Sequence, residues 1–346
     1  MSALAVGVLL VNATLTNALD RLGTELNQQN VPFIEHSTMR GTSSGDYHAY
    51  PASDDLIVSD YHLLEGDCGM FNNRTKLWND KELTELSEPP AVILSPIAGY
   101  CSNRDYLVVV FTRTSEPDVR ESFRNTYGLL AEKFNFGILF PLGLASLGDI
   151  NSNVSREHEI YGDILLSNFL DSYKNLTMKT LSYSNYVRIN CTTVQAVVKF
   201  DDDMAWNAEL LFDYLSNIGT KRELHCKTIV GGSAVRQKEH KWYMPEEEYP
   251  YRFYPEYCLG HVCAATPATI SALVGAAHTT PHLWIDDVWS FGIVAWEAEV
   301  SFRQLEINRN TTFHEPFLNG RVAAQVLDSY EDGLPLFKAV HAKLLS

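Results

Sequence analysis

The chain predicts an α/β protein with a central, mostly parallel sheet flanked by helices, and three features of its middle portion carry that prediction. DYLVVVFTR (105–113) is a short apolar, β-branched run between turn formers, as expected of a strand buried on both faces of a parallel sheet. PDVRESFRNTYGLLAEKF (117–134) follows, with Pro117 near its start and Val119, Phe123, Tyr127 and Leu130 at helical spacing. FGILFPLG (136–143) is a second buried strand, and strand, helix, strand in that order implies right-handed crossovers in a parallel sheet. A long helical stretch is predicted next, from about Ser155 through ILLSNFLDSYKNLTMKTLSY (164–183).

TTVQAVVKF (192–200) is a further β-branched strand, and it ends in Asp201, Asp202 and Asp203 before a helix predicted to begin near Trp206. Ligands bind at the carboxyl ends of strands in open α/β sheets, so the three acids stand at a functional edge. Alternation along an extended chain sends Asp201 and Asp203 one way and Asp202 the other. Adjacent carboxylates repel, a divalent cation relieves that repulsion, and hard oxygen donors suit Mg²⁺ or Mn²⁺ rather than zinc. The spacing lacks the alternate acids and central glycine of an EF-hand loop. The competing reading is a solvated turn in which an Asp caps the next helix.

Composition bounds the rest. At 346 residues and 45% hydrophobic the chain can bury a substantial core, with no internal repeats. The formal charge of −16, from 43 acidic and 27 basic residues with no dense basic block, excludes the footprint of a nucleic-acid binder. Six cysteines without a CxxC pair, and N-x-S/T sites at Asn12, Asn73, Asn153, Asn175, Asn190 and Asn310, favour an oxidising lumen over the cytosol. Residues 3–11 form an apolar run, well short of the ~20 residues a spanning helix needs. That run reads as part of a signal peptide, a remnant of an anchor, or a first buried helix, leaving membrane association through the amino terminus open. Residues 28–90 are broken by polar clusters such as GTSSGD (41–46), so residues 1–88 read as a stem-like or accessory region and 89–346 as the catalytic domain.

KFDDDMAWN (199–207) resembles the K-x-DDD-x-x-x-N segment of the β-1,3-galactosyltransferase and β-1,3-N-acetylglucosaminyltransferase family. VRESFRNTYG (119–128), YGDILLSNFLDSYKNLTMKT (161–180), KWYMPEEEYPYRFYPEYCLG (241–260) and DDVWSFGIVA (286–295) are similar to further segments of that family, in the family's order. The resemblance implies a Rossmann-like, A-type glycosyltransferase fold, a Golgi location, and transfer of a hexose from a UDP-sugar to a glycan acceptor with inversion. It implies that Asp201 and Asp203 hold Mn²⁺ or Mg²⁺ and that Asp287 is the general base. Arg120, Arg124, Lys179, Lys199, Asp201 and Asp202 become candidates for donor binding, and His314 a candidate third metal ligand. Trp242, Tyr249, Tyr254 and Tyr257 form an aromatic loop able either to stack on sugar or base rings or simply to pack. Tyr127, Asn168 and Asp286 stand where the family has Trp, Asp and Glu. GHVCAATPATI (260–270) replaces a Gly-Tyr-Val-type strand, and the span from Asp287 to Gly292 is one residue longer. A glycoside hydrolase would use paired carboxylates such as Asp203 and Asp287 without a cation, and an inactive glycan-binding relative is the other reading.

Overall fold

The computed structural model describes residues 89–344. The apolar run at 3–11, the accessory region 1–88 with Cys68, and the sites at Asn12 and Asn73 lie outside the described residues. Eleven strands are found among the described residues: β1 (Val92–Leu94), β2 (Tyr106–Phe111), β3 (Phe136–Leu144), β4 (Ile164–Leu170), β5 (Ala196–Asp201), β6 (Met204–Trp206), β7 (Glu223–Ile229), β8 (Tyr257–Ala265), β9 (Ser301–Gln304), β10 (Ile307–Asn308) and β11 (Ala324–Val326). An eight-stranded sheet runs in the order β1-β4-β3-β2-β5-β8-β7-β9. Its β4-β3-β2-β5 centre is parallel, and β8 is inserted antiparallel to both β5 and β7.

Every residue of β2 and of β3 is buried, which is why both read as unbroken apolar runs. Period-two alternation divides them between two cores. Leu107, Val109 and Phe111 pack into one core with Val197, while Tyr106, Val108 and Val110 pack into the other with Ala196 and Val198. Helices cover both faces: α1 (Pro117–Asn125), α2 (Gly148–Tyr161), α3 (Leu176–Asn190), α4 (Ala208–Ser216) and α5 (Pro267–Ala277).

Two expectations are corrected. The helical stretch predicted from about Ser155 to Tyr183 is three elements: α2, β4 and α3. Gly162, at φ 65°, closes α2 in the left-handed region, and its N–H donates to the His158 carbonyl at 2.8 Å. ILLSNFL then becomes a strand because it lies beside β3, a choice that helical spacing in a short apolar run does not decide. Likewise Trp206 ends β6 rather than starting a helix, and the cap of α4 is Asn207, whose side chain accepts from the Leu210 N–H at 3.2 Å. No Asp of the triplet caps α4.

A three-stranded sheet, β10-β11-β6, closes over the triplet turn. β11 runs antiparallel to β6, with Val326 opposite Met204. The Leu327 N–H donates to the Asp203 carbonyl and the Asn207 N–H to the Ala323 carbonyl, both at 2.8 Å, so the chain on either side of the turn is clamped.

Disulfides join Cys101 to Cys191 and Cys226 to Cys258, and Cys263 is a buried free thiol. Of the described N-x-S/T sites, Asn153, Asn190 and Asn310 are exposed, whereas Asn175 is half-buried and its Nδ2 donates to the Leu170 carbonyl at 2.8 Å. Protein secreted from a eukaryotic host is therefore expected to carry both bridges and glycans at the three exposed sites, with Asn175 bare. Mass spectrometry before and after reduction and deglycosylation checks this; free thiols at all four bridge positions together with no glycan mass would refute the lumenal assignment. Among the described residues, no helix is long and apolar enough to cross a membrane.

Candidate active site

The chain builds outward from β2 through β3 and β4 to one side and resumes with β5 on the other, so the carboxyl ends of β2 and β5 flank a switch point of the sheet. Asp201 is the last residue of β5, and Asp202 and Asp203 form the turn into β6. Period two puts Lys199 on the side of β5 that carries Asp201. The Lys199 ammonium is buried, donates to the Asp201 carboxylate and the Gly260 carbonyl, and lies 4.4 Å from the centre of the Phe111 ring. β8 supplies the facing wall: Lys199 pairs with Cys263 and Phe200 with Val262, and one further step of this register brings His261 opposite Asp201.

The remaining acids arrive on a short helix, α6 (Asp286–Val288), which continues as a π-helix over Trp289–Ile293 and as α7 (Val294–Glu297). π-Helical turns inside α-helices recur at functional sites. Asp286 is buried and accepts hydrogen bonds from Thr180 Oγ1 at 2.8 Å and Ser290 Oγ at 2.6 Å. Asp287 is less buried, and its carboxylate lies directly against Gly260, where an added Cβ would come within 2.1 Å of Oδ1. Only glycine leaves that space open.

Electrostatics set these carboxylates apart from surface acids. Burial first, and Asp201 next, push Asp202 up to about 6. Burial, then Asp201 and Asp202, push Asp203 up to about 7, and Asp203 Oδ1 is buried with no hydrogen-bond partner among the described residues. A turn of mutually repelling carboxylates with an unmet acceptor fits a hard divalent cation in donor type and in charge. Burial also raises Asp287, with Lys199 and the Gly260 N–H opposing.

Asp286 rises to about 7, chiefly through burial. The folded protein thus holds a proton on Asp286 at pH values where the unfolded chain has released it, so stability declines as pH rises from the ordinary carboxylate range through about 7. Asp202 and Asp203 are raised in the same sense, so metal-free protein is expected to melt lower at about pH 8 than at about pH 5, with a flatter but not flat profile for Asp286→Asn. An unchanged slope in that variant, followed by calorimetry, would assign the pH dependence elsewhere.

The basic candidates are bound to protein acids. The Arg120 side chain is fully buried, forms an ion pair with Glu157 at 2.6 Å, and donates to the Arg113 carbonyl at 2.7 Å and the Thr114 carbonyl at 3.4 Å. Arg124 pairs with Glu157 at 2.8 Å and Asp163 at 2.7 Å, its guanidinium lying 3.9 Å from the centre of the Tyr161 ring. Lys179 pairs with Asp171 at 2.9 Å and donates to the Thr112 carbonyl at 2.8 Å. Arg120 and Lys179 thus brace the 112–114 loop that follows β2. Among the described residues, Cys226, Cys258 and Cys263 alone form a group of three whose ligand atoms all lie within 4.8 Å of one another, so the triplet and His314 do not meet that closely, although His314 Nδ1 is buried with no hydrogen-bond partner among the described residues. Those sulfurs belong to a disulfide and its neighbour. The His314 carbonyl instead accepts from the Phe317 and Leu318 N–H groups at the start of α8 (Glu315–Leu318), in the connection between β10 and β11.

Tyr249, Tyr254 and Tyr257 are core residues, 0%, 3% and 1% exposed, so packing accounts for them. Trp242 is partly exposed; its Nε1 donates to the Tyr173 hydroxyl at 2.6 Å, and Tyr173 meets Trp284 edge-on at 6.3 Å. His261, on the wall facing Asp201, is not among the residues the sequence singles out. The signal available for His261 was its place in GHVC, the segment that departs from the family pattern.

The galactosyltransferase family profile matches residues 118–306, more than half of the chain, and the protein belongs to that family. β-1,3-Galactosyltransferase 1 of human and of mouse is 36% identical over 166 residues, 46% of this chain and 50% of the relative. Lactosylceramide 1,3-N-acetyl-β-D-glucosaminyltransferase A of Xenopus laevis is 28% identical over 209 residues, 56% of this chain and 55% of the relative. The chain spans about half the length of the curated relatives it matches. A bifunctional glycosyltransferase of known structure superposes with a TM-score of 0.36 at 12% identity, over 70% of this chain and 50% of the other.

Proposed function

We propose that this protein is an inverting hexosyltransferase that moves galactose or N-acetylglucosamine from a UDP-sugar to a glycan acceptor through a β-1,3 linkage. The observation that carries this reading is the meeting, at one sheet edge, of the Asp201–Asp203 turn and the Asp287 carboxylate across Lys199 and Gly260. Asp201 and Asp203 would hold Mn²⁺ or Mg²⁺, and a cation bound there supplies Lewis-acid stabilisation of the charge on the departing diphosphate. Asp287 accepts the proton of the acceptor hydroxyl as that oxygen bonds to the anomeric carbon and the bond to the nucleotide oxygen breaks. A single displacement inverts the anomeric centre. Asp286, fixed by Thr180 and Ser290, sets the start of α6 and with it the aim of Asp287. Lys199 holds Asp201 and moderates the charge around Asp287. Asp202 completes the donor side, while Arg120, Arg124 and Lys179 act through the framework they brace.

Residues 89–346 form the catalytic domain in this reading, with 1–88 an accessory region ahead of it. The bridges and exposed glycosylation sites support a place in the secretory pathway, the Golgi lumen in particular. A screen of nucleotide sugars for Mn²⁺-dependent turnover by purified protein tests the reading. Transfer from UDP-galactose or UDP-N-acetylglucosamine is expected. Glycan binding without turnover of any donor would favour the inactive relative, and cation-independent glycan cleavage would favour the hydrolase.

A further inference from the structure

We infer that His261 contacts the hexose being transferred and selects the donor sugar. This rests on the transferase reading above. In a single displacement the leaving diphosphate and the attacking hydroxyl stand on opposite faces of the anomeric carbon. The transferred ring must therefore lie between the groups that hold the diphosphate, Asp201 among them, and the base, Asp287. His261 occupies that interval. One step beyond the Phe200–Val262 pair the β5–β8 register brings it opposite Asp201, it directly follows the Gly260 on which Asp287 rests, and both carboxylates act on it electrostatically, as do Lys199 and Arg309.

Within β8, His261 is the one residue that is not fully buried, so its side chain borders open space while the rest of the strand is sealed in the cores. Its Nδ1 is nevertheless shielded from solvent and has no hydrogen-bond partner among the described residues. A shielded ring nitrogen left unpaired is costly unless something else satisfies it. An imidazole nitrogen donates or accepts according to tautomer, so a sugar hydroxyl or the amide of an N-acetyl group meets its need. Sites built to hydrogen-bond a substrate group reject analogues lacking that group, and this is how one side chain can discriminate between hexoses.

The test uses the whole chain with Mn²⁺ and compares UDP, UDP-galactose and UDP-N-acetylglucosamine by calorimetric titration and by turnover, for the parent, His261→Ala and His261→Asn. For His261→Ala, UDP affinity and melting temperature are expected to stay at parental values. The preferred UDP-sugar should bind about tenfold more weakly, and its kcat/KM should fall by about 10- to 100-fold. The other donor should lose less, so discrimination narrows, and His261→Asn should recover part of it. Parental discrimination in a folded His261→Ala protein overturns the inference, as does an equal loss for UDP and UDP-sugar, which would assign His261 to the nucleotide or the cation. Failure of the parent to bind UDP with Mn²⁺ overturns the transferase reading itself, and the inference with it.

Discussion

Asp287→Asn is expected to slow the chemical step by about 10²–10⁴-fold while leaving donor affinity and melting temperature at parental values. Asparagine keeps the size of the side chain and can still accept from the Gly260 N–H, but it cannot take a proton from the acceptor. The neighbouring Asp286→Asn should be milder in turnover, because Asp286 is committed to Thr180 and Ser290 and faces away from solvent. A plain capping role for these acids predicts instead about 1 kcal/mol of lost stability and little lost activity. The helix start argues against that role, since Ile285 occupies the capping position and no side-chain cap is formed. Turnover, nucleotide affinity and melting temperature measured on both variants decide the matter: a stable Asp287→Asn protein with near-parental turnover removes Asp287 from the mechanism.

Asp203→Ala is expected to abolish cation-dependent nucleotide binding with the fold intact. Asp203 joins the framework through its main-chain carbonyl, which accepts from Leu327 and survives the substitution. The lost carboxylate is one that burial and two neighbouring acids already disfavour, so metal-free Asp203→Ala should melt at or above the parental temperature. Titration of UDP with and without Mn²⁺ provides the check. Equal affinity in variant and parent would sink the metal assignment.

The parallel strands were legible because each is buried on both faces and so reads as an unbroken apolar run. β4 was not, because ILLSNFL is flanked by genuine helices and its seven residues satisfy a helical spacing as readily as a strand. The triplet and Asp287 were visible as acids at the carboxyl end of a strand and in a family motif. The state of the arginines was hidden: Arg120 and Arg124 stand four apart on α1, and nothing local indicates that Glu157 and Asp163, far along the chain, neutralise them. His261 escaped for the same reason. Its relation to Asp201 exists only across an antiparallel pairing of distant strands, whereas His314, the histidine singled out, is placed by a helix start and a β10-β11 connection that no motif describes.

The clamp that β11 and Leu327 place on the triplet turn lies beyond residue 306, where the family match ends. Synthesis proceeds from the amino terminus, and domains fold as their segments emerge. A nascent chain that has already delivered every family motif still lacks the segment that fixes the turn carrying Asp201 to Asp203. A chain cut short at residue 306 would carry the family's full signature without the strand that fixes this turn.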